Sequence, residues 1–421
     1  MSVQTELQRI IQAKADIIDS IEAKGVTVPS GTTIDNLDDY VDQIQQGGPT
    51  PEPTPWAANE CFHIDLIETD QQYGFVSIYL QEGSTRKRWD ELPFTAYYQR
   101  TAIDGTPSDS NWIVCSDSKG DIPTLANTNN KYRRVWLKIE NPLGYKRFVK
   151  GGTAVNWQIG FYNAANSKIT TTATKIELGG NLMSLLSIYK DVDLPSQAFN
   201  NFFSNNTLQM AAANLIFPNT TSEGCYCSMF LGCTNLTTAP ALPATTLAPY
   251  CYYYMFNNCT NLTTTPALPA TTLATYCYAY MFNNCKVITS TPALLATTLY
   301  ERSYAYMFNG CTALTTIQTI SATTLDRYAC QCMFNGCTAL VTGPVLPALT
   351  LVEGCYRQMF NGCTNLNYIK AMFTTLSTGN TYQWLNGVAA TGTFVKNVNA
   401  TWTDTGVSAV PDGWTVETAA A

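Results

Sequence analysis

The dipeptide Met-Phe stands at Met229, Met255, Met281, Met307, Met333 and Met359, with 26 residues from each to the next. A fixed period of this length marks one structural unit repeated, and a unit so short cannot bury an apolar face by itself. The chain is therefore constrained to stack its repeats into a solenoid with a core continuous from unit to unit. Around each Met-Phe the pattern reads C-Y-x-x-M-F-x-x-C-T-x-L, then a Thr, Ala and Pro stretch, then A-T-T-L, as in CYYYMFNNCTNLTTTPALPATTLA at 251–274. Imperfect copies at Phe202 and Phe203 and at Trp384, each one residue out of register, are placed as terminal capping repeats.

Winding residues 251–259 at about 100° per residue puts Cys251, Tyr252, Met255, Phe256 and Cys259 on one face, which predicts a short helix in every repeat. Leu262, Leu268 and Leu273 follow among Thr and Pro, so one or two short extended segments complete the unit. The structural core of the array is then the Met229, Met255, Met281, Met307, Met333 and Met359 row together with a row of Cys233, Cys259, Cys285, Cys311, Cys337 and Cys363. Thiols in a line along a solenoid do not converge as tetrahedral zinc requires, so they are expected to be buried and reduced, with no metal and no cofactor. A second row, Cys225, Cys251, Cys277 and Cys355, has Ser303 and Ala329 in the same position and calls for small size rather than sulfur.

Upstream of the array the pattern changes. Leu7, Ile10, Ile11, Ile17, Ile18 and Ile21 form an apolar stripe at helical spacing, and Ile34, Leu37, Val41 and Ile44 form a second. They predict a helical hairpin over 1–46 for docking or self-association, because 46 residues make a very small core. GGPTPEPTP at 47–55 reads as a stiff spacer. Alternating segments such as YGFVSIYL and YRRVWLKIE predict a β-sandwich over 56–178, the repeat solenoid occupies 179–388, and strand-like alternation over 389–421 predicts a C-terminal β cap. The expected fold class is mixed α/β, with a helical anchor, a β-sandwich and a leucine-rich-repeat-like solenoid.

Charged residues make up 13% of the chain and the formal net charge is −7, so there is no basic footprint for nucleic acid. No apolar run reaches the roughly 18 residues that a membrane helix needs, and MSVQTELQRII lacks the basic-then-apolar order of a secretory signal. No membrane insertion is expected.

The Met-Phe anchor, the Asn-Gly-Cys-Thr turn and the PALPATTL stretch resemble the BspA-like leucine-rich repeats of Bacteroides surface proteins and of phages infecting those bacteria, over roughly 179–421. GGNLMSLL at 179–186 is similar to the entry into such arrays, FVKN to DGWTV to their closing segment, and the N-terminus to the attachment segment of phage virion proteins. The resemblance implies a virion head or tail fibre, assembled in the bacterial cytoplasm. Its N-terminus would bind capsid or tail proteins, the chain would form a homo-oligomer, a trimer being favoured, and the solenoid would meet a host glycan or protein. A bacterial surface adhesin of the same repeat family, or a decorative virion protein, is the competing reading.

Tyr250, Tyr254, Tyr276, Tyr280, Tyr306 and Tyr328 point away from the Met and Cys face and are the candidate ligand surface. Tyrosine joins an apolar ring to a polar tip, which suits sugars and proteins alike; the competing reading is that the rings only fill space between repeats. His63 falls in CFHIDLIET away from any serine or cysteine signature, and Glu301, Asp326 and Glu353 sit on different repeats, so no catalytic triad or carboxylate pair is expected there. Asp65, Glu68, Asp70 and Glu82 of the β-rich segment are unpatterned, and the chain is read as non-enzymatic.

Overall fold

The computed structural model describes residues 196–206 and 209–419 continuously, 55–194 in separate stretches, and Lys14 and Ile18 of the first 54 residues. The chain divides into two compact units, Met1–Pro55 and Trp56–Ala421. In the second unit the upstream strands are β1 (Phe62–Thr69), β2 (Phe75–Glu82), β3 (Thr85–Lys87), β4 (Thr95–Thr101), β5 (Ile113–Val114), β6 (Asp121–Pro123), β7 (Arg134–Glu140), β8 (Val149–Lys150), β9 (Thr153–Ala154), β10 (Trp157–Phe161) and β11 (Ala173–Asn181). The solenoid contributes β12 (Gln209–Ile216), β13 (Leu236–Thr238), β14 (Thr342–Leu346) and β15 (Tyr368–Ala371), and β16 (Gly392–Lys396) and β17 (Trp414–Thr418) follow.

One sheet joins the upstream segment to the array. Its order is β13-β12-β11-β1-β7-β4-β5: β11 runs antiparallel to β1 on one side and parallel to β12, the first solenoid strand, on the other. Gly180 makes the passage possible. Its φ is +74° and a Cβ there would lie 1.9 Å from the Cys61 carbonyl oxygen, so no other residue fits. A second sheet, β10-β2-β3 with β6 beside β2, belongs to the upstream segment. At the far end β14, β15, β16 and β17 form a parallel sheet, and Trp384 and Trp414 donate their indole N–H groups to the carbonyls of Ala409 and Ala389.

The Met-Phe segment is not a helix. The amides of Cys251, Tyr253, Met255, Asn257 and Cys259 each donate to the carbonyl three residues back, whereas those of Tyr250, Tyr252, Tyr254, Phe256 and Asn258 donate to Thr275, Cys277, Ala279, Met281 and Asn283 of the next coil, at 2.9–3.1 Å. The segment is a ribbon of consecutive β-turns in which amides alternately close a turn and bind the neighbouring coil. In alternate turns the third residue has positive φ, as type II turns require: Tyr250, Tyr254 and Asn258 lie at 57°, 57° and 60°, and Pro249 precedes Tyr250 at the position type II turns prefer for proline. The same three positions are left-handed in the coils on either side, filled by Gly224, Ser228 and Gly232 or by Tyr276, Tyr280 and Asn284.

The expected mixed α/β class is therefore corrected to a β-rich one, a β-solenoid of about eight turns. No α-helix stands among the described elements. The helical anchor expected over 1–46, with Leu7, Ile10, Ile11, Ile17, Ile21, Ile34, Leu37, Val41 and Ile44, lies outside the described residues. Lys14 and Ile18 are the exceptions, both half-buried with helical backbone. In the repeats, every fourth residue takes the outer left-handed position, and a period of four imitates the helical period of about 3.6 over nine residues. Helical winding thus groups the right residues on one face while assigning the wrong hydrogen bonds.

Those residues build the core. Met229, Met255, Met281, Met307, Met333 and Met359 are fully buried, Trp384 takes the same position in the last coil, and the phenylalanines after the methionines stack in one column from Phe203 to Phe360 at 5.1–5.8 Å. A second buried column runs Phe199, Tyr226, Tyr252, Tyr278, Tyr304. Asparagine amides link coils beside them: Asn283 donates to Asn257 and Asn309 to Asn283, at 2.9 and 2.6 Å. Phe62 of β1 meets Phe202 and Phe203 at 6.3 and 6.4 Å, closing the core against the upstream sheet.

The left-handed positions give a direct test. A Cβ at Gly336 would meet only Gly310 backbone atoms, at 3.8 and 3.9 Å, so Gly336→Ala carries a conformational cost without a clash. It should destabilise the protein by about 1–2 kcal/mol, and Gly336→Asn by less, since asparagine tolerates this region. Equal denaturation midpoints for glycine, alanine and asparagine would contradict the turn assignment.

Candidate functional site

The outer left-handed positions of four consecutive coils carry the tyrosines. All six candidates are half-buried and lie off the core columns. Tyr254, Tyr280 and Tyr306 form one row, with ring centroids 4.4 Å apart and planes 11° and 5° from parallel. Tyr250 and Tyr276 form the second, at 5.0 Å and 15°. Arg302 continues that row, its guanidinium 5.5 Å from the Tyr276 ring and 4.8 Å from the Tyr328 ring, and donates to the Tyr276 hydroxyl and to Glu301. Tyr328 ends the row over Gly354, whose added Cβ would fall 2.3 Å from the ring, and donates its hydroxyl to Glu353 at 2.8 Å.

Tyr253, which the spacing argument passes over, ties the two rows together. Its ring stands at 80–89° to Tyr250, Tyr254, Tyr276 and Tyr280, at 4.3 Å from Tyr254 and 5.7–6.0 Å from the others. The run YYY at 252–254 displays it, but a helix would have turned it elsewhere. Burial raises the hydroxyls of Tyr253 and Tyr280 above their ordinary range and pushes Tyr306 up to about 12, so these hydroxyls stay protonated at neutral pH.

Register has a chemical consequence. Coils repeat at about the 4.8 Å spacing of β-strands, which is close to the spacing of stacked rings. The tyrosines therefore cover each other's faces, and within a row they offer edges and hydroxyls to the outside rather than faces.

The thiols are placed otherwise. Cys233, Cys259, Cys285, Cys311, Cys337 and Cys363 are fully buried and free, and each donates its S–H to a phenylalanine carbonyl of the coil before, at 3.0–3.2 Å. Burial pushes Cys233, Cys311 and Cys363 up to about 12 and the other three well up, so they are hydrogen-bonding thiols rather than nucleophiles. Cys225, Cys251, Cys277 and Cys355 are buried too, as are Ser303 and Ala329.

His63 packs on Trp136 with ring centroids 4.4 Å apart, and burial lowers its pKa. Asp65 is held by Arg134 in a two-pronged ion pair at 2.5 and 2.6 Å. The side chains of Glu68, Asp70 and Glu82 lie outside the described residues. Among the described residues no group of three or more His, Cys, Asp or Glu could hold a metal, and no helix is long and apolar enough to cross a membrane. No protein-family model, curated protein or solved structure matches this chain.

The buried thiols carry a pH prediction. The unfolded chain ionises them from about the ordinary value of 9.0, whereas Cys233, Cys311 and Cys363 stay protonated in the fold to about 12. In that window the unfolded state binds fewer protons, so stability falls as pH rises through it. Melting temperature should drop progressively above pH 9.0, more steeply in the wild type than in a Cys311→Ala variant corrected for its lower baseline. A thiol reagent that labels these cysteines rapidly in the native protein would contradict their placement.

Proposed function

We propose that this chain is a virion fibre protein that acts by adhesion: its solenoid presents the tyrosine array to a host surface, without catalysis. The observation that carries the reading is the occupancy of the outer left-handed positions. The fold does not need tyrosine there, because Gly224, Ser228, Cys332, Gly354, Gln358 and Gln383 fill equivalent positions in other coils. A bulky residue in this backbone region is disfavoured by about 1–2 kcal/mol. Five such tyrosines set side by side, four of them braced by Tyr253, form a rigid amphipathic surface of the kind that binding uses.

In this reading residues 1–46 attach the chain to capsid or tail proteins, and the chain works as a homo-oligomer, a trimer by preference. The mutual covering of ring faces favours a second reading, in which the array stiffens a decorative virion protein and binds nothing.

Binding of residues 56–421, one compact unit, to host cells separates the two. Tyr250→Ser, Tyr254→Ser, Tyr276→Ser and Tyr280→Ser combined should abolish binding while the protein still melts cooperatively. Equal binding by both proteins would sink the adhesive role of the array. Deletion of 1–46 should prevent incorporation into particles and leave the melting of the solenoid unchanged; particles that still take up the truncated chain would refute the attachment role.

A further inference from the structure

The last turns of the solenoid close differently on their two sides. On the ribbon side the segment after β16 folds back and supplies partners. Leu385 donates its amide to the Val407 carbonyl and Gln383 to the Ser408 hydroxyl, while the Thr381 hydroxyl donates to the Ser408 carbonyl and the Trp384 indole to that of Ala409. The sheet side stops at β17. That strand pairs with β16 and, among the described residues, with nothing along its outer edge.

The register says which groups that edge offers. Ala419 donates its amide to the Lys396 carbonyl, and Lys396 lies opposite Thr418. Successive residues of a strand turn their N–H and C=O groups to opposite edges, so Thr415, Glu417 and Ala419 face β16. Val416 and Thr418 therefore present their N–H and C=O groups outward. Val416 also stands on the core side of the sheet, opposite Phe394, yet is 46% exposed, because no further described strand covers it. At the other end of the array β12 is paired on both edges, with β11 and β13, so the solenoid of a second copy has no free first strand to offer.

We infer that the outer edge of β17 is a strand-addition site for an extended, basic segment of another protein. Backbone bonds to Val416 and Thr418 hold such a segment, and apolar side chains at its alternate positions cover Val416. Charge fixes the kind of partner. Asp404, Asp412 and Glu417 are all exposed, and residues 397–421 contain no lysine or arginine. The neighbouring Lys396 is turned onto the Trp402 ring and donates to the Trp402 carbonyl at 3.0 Å. A second β17 laid on the first would set acid against acid, and residues 1–46 also carry more acidic than basic side chains. Lysine or arginine between the apolar positions of a different chain meets Glu417 with the opposite charge.

The test uses the full chain and capped, fluorescently labelled peptides. One alternates valine with lysine, one alternates valine with glutamate, and one keeps the lysines but has proline in place of valine, so that it cannot add to a sheet. Binding is read by anisotropy, with thermal melting as the folding control and sedimentation velocity for self-association. Val416→Pro and Thr418→Pro each remove an outward N–H while leaving the charge and the bonds to β16 in place. The valine-lysine peptide should bind the wild type saturably and either proline variant about tenfold or more weakly; the other two peptides should bind the wild type about tenfold or more weakly. Equal binding by the proline variants, or by the proline peptide, would reduce the effect to charge attraction and overturn the edge as the site. Equal or tighter binding of the glutamate peptide overturns the partner class, and binding of no peptide overturns the inference. A dimer that Val416→Pro dissolves replaces the partner with a second copy and overturns it too. Where proline lowers the melting of both variants, Glu417→Lys decides: preference must shift toward the glutamate peptide, and an unchanged preference overturns the assignment.

Discussion

The amides of Tyr250, Tyr252, Tyr254, Phe256 and Asn258 find their acceptors in the next coil, and the same alternation runs through every repeat. A buried amide without a partner costs on the order of 1–3 kcal/mol, so no coil of this chain is stable without its neighbour. The 26-residue register follows from that requirement. It brings Met over Met, Phe over Phe and Cys next to a phenylalanine carbonyl, and the irregular ends absorb small errors: Phe203 reaches Met229 over 26 residues, Phe230 reaches Met255 over 25, and Phe360 reaches Trp384 over 24. Even the continuity with the upstream sheet is part of the same demand, since β11 supplies β12 with the strand partner that a first coil would otherwise lack.

The stacked arrangement also explains why one outer surface can be built from tyrosines that the core does not use. Once backbone register is fixed at a strand-like spacing, any aromatic residue placed at the same position in consecutive coils is already at stacking distance from its copy. Tyr254, Tyr280 and Tyr306 need no further positioning, and Tyr253 crosses between the rows because Ala279 leaves room at its position in the next coil. The order of the surface derives from the ribbon, while its composition is free.

Much of this was legible in the residues, and the misreading has a physical cause. The period, the capping repeats, the buried Met and Cys rows and the outward tyrosines all follow from spacing alone. The helix did not survive, because a four-residue ribbon and a helix sort Cys251, Met255 and Cys259 to the same side. The discriminating signal was glycine: Gly224, Gly232, Gly310, Gly336, Gly354 and Gly362 fall only at positions four or eight apart that a left-handed residue must fill, and a short helix has no use for them. Asn-Gly before the cysteine, at 309–310, 335–336 and 361–362, says the same in the language of turns. The part played by Tyr253 was out of reach, since it depends on which side chains face each other across coils.

The most direct test is a measurement of which carbonyl each ribbon amide binds, read from scalar couplings across hydrogen bonds in isotope-labelled protein. The Tyr254 amide should couple to the carbonyl carbon of Ala279, and the Met255 amide to that of Tyr252. Coupling of Tyr254 to Tyr250, four residues back in its own coil, would show a helix and overturn the ribbon together with the surface built on it.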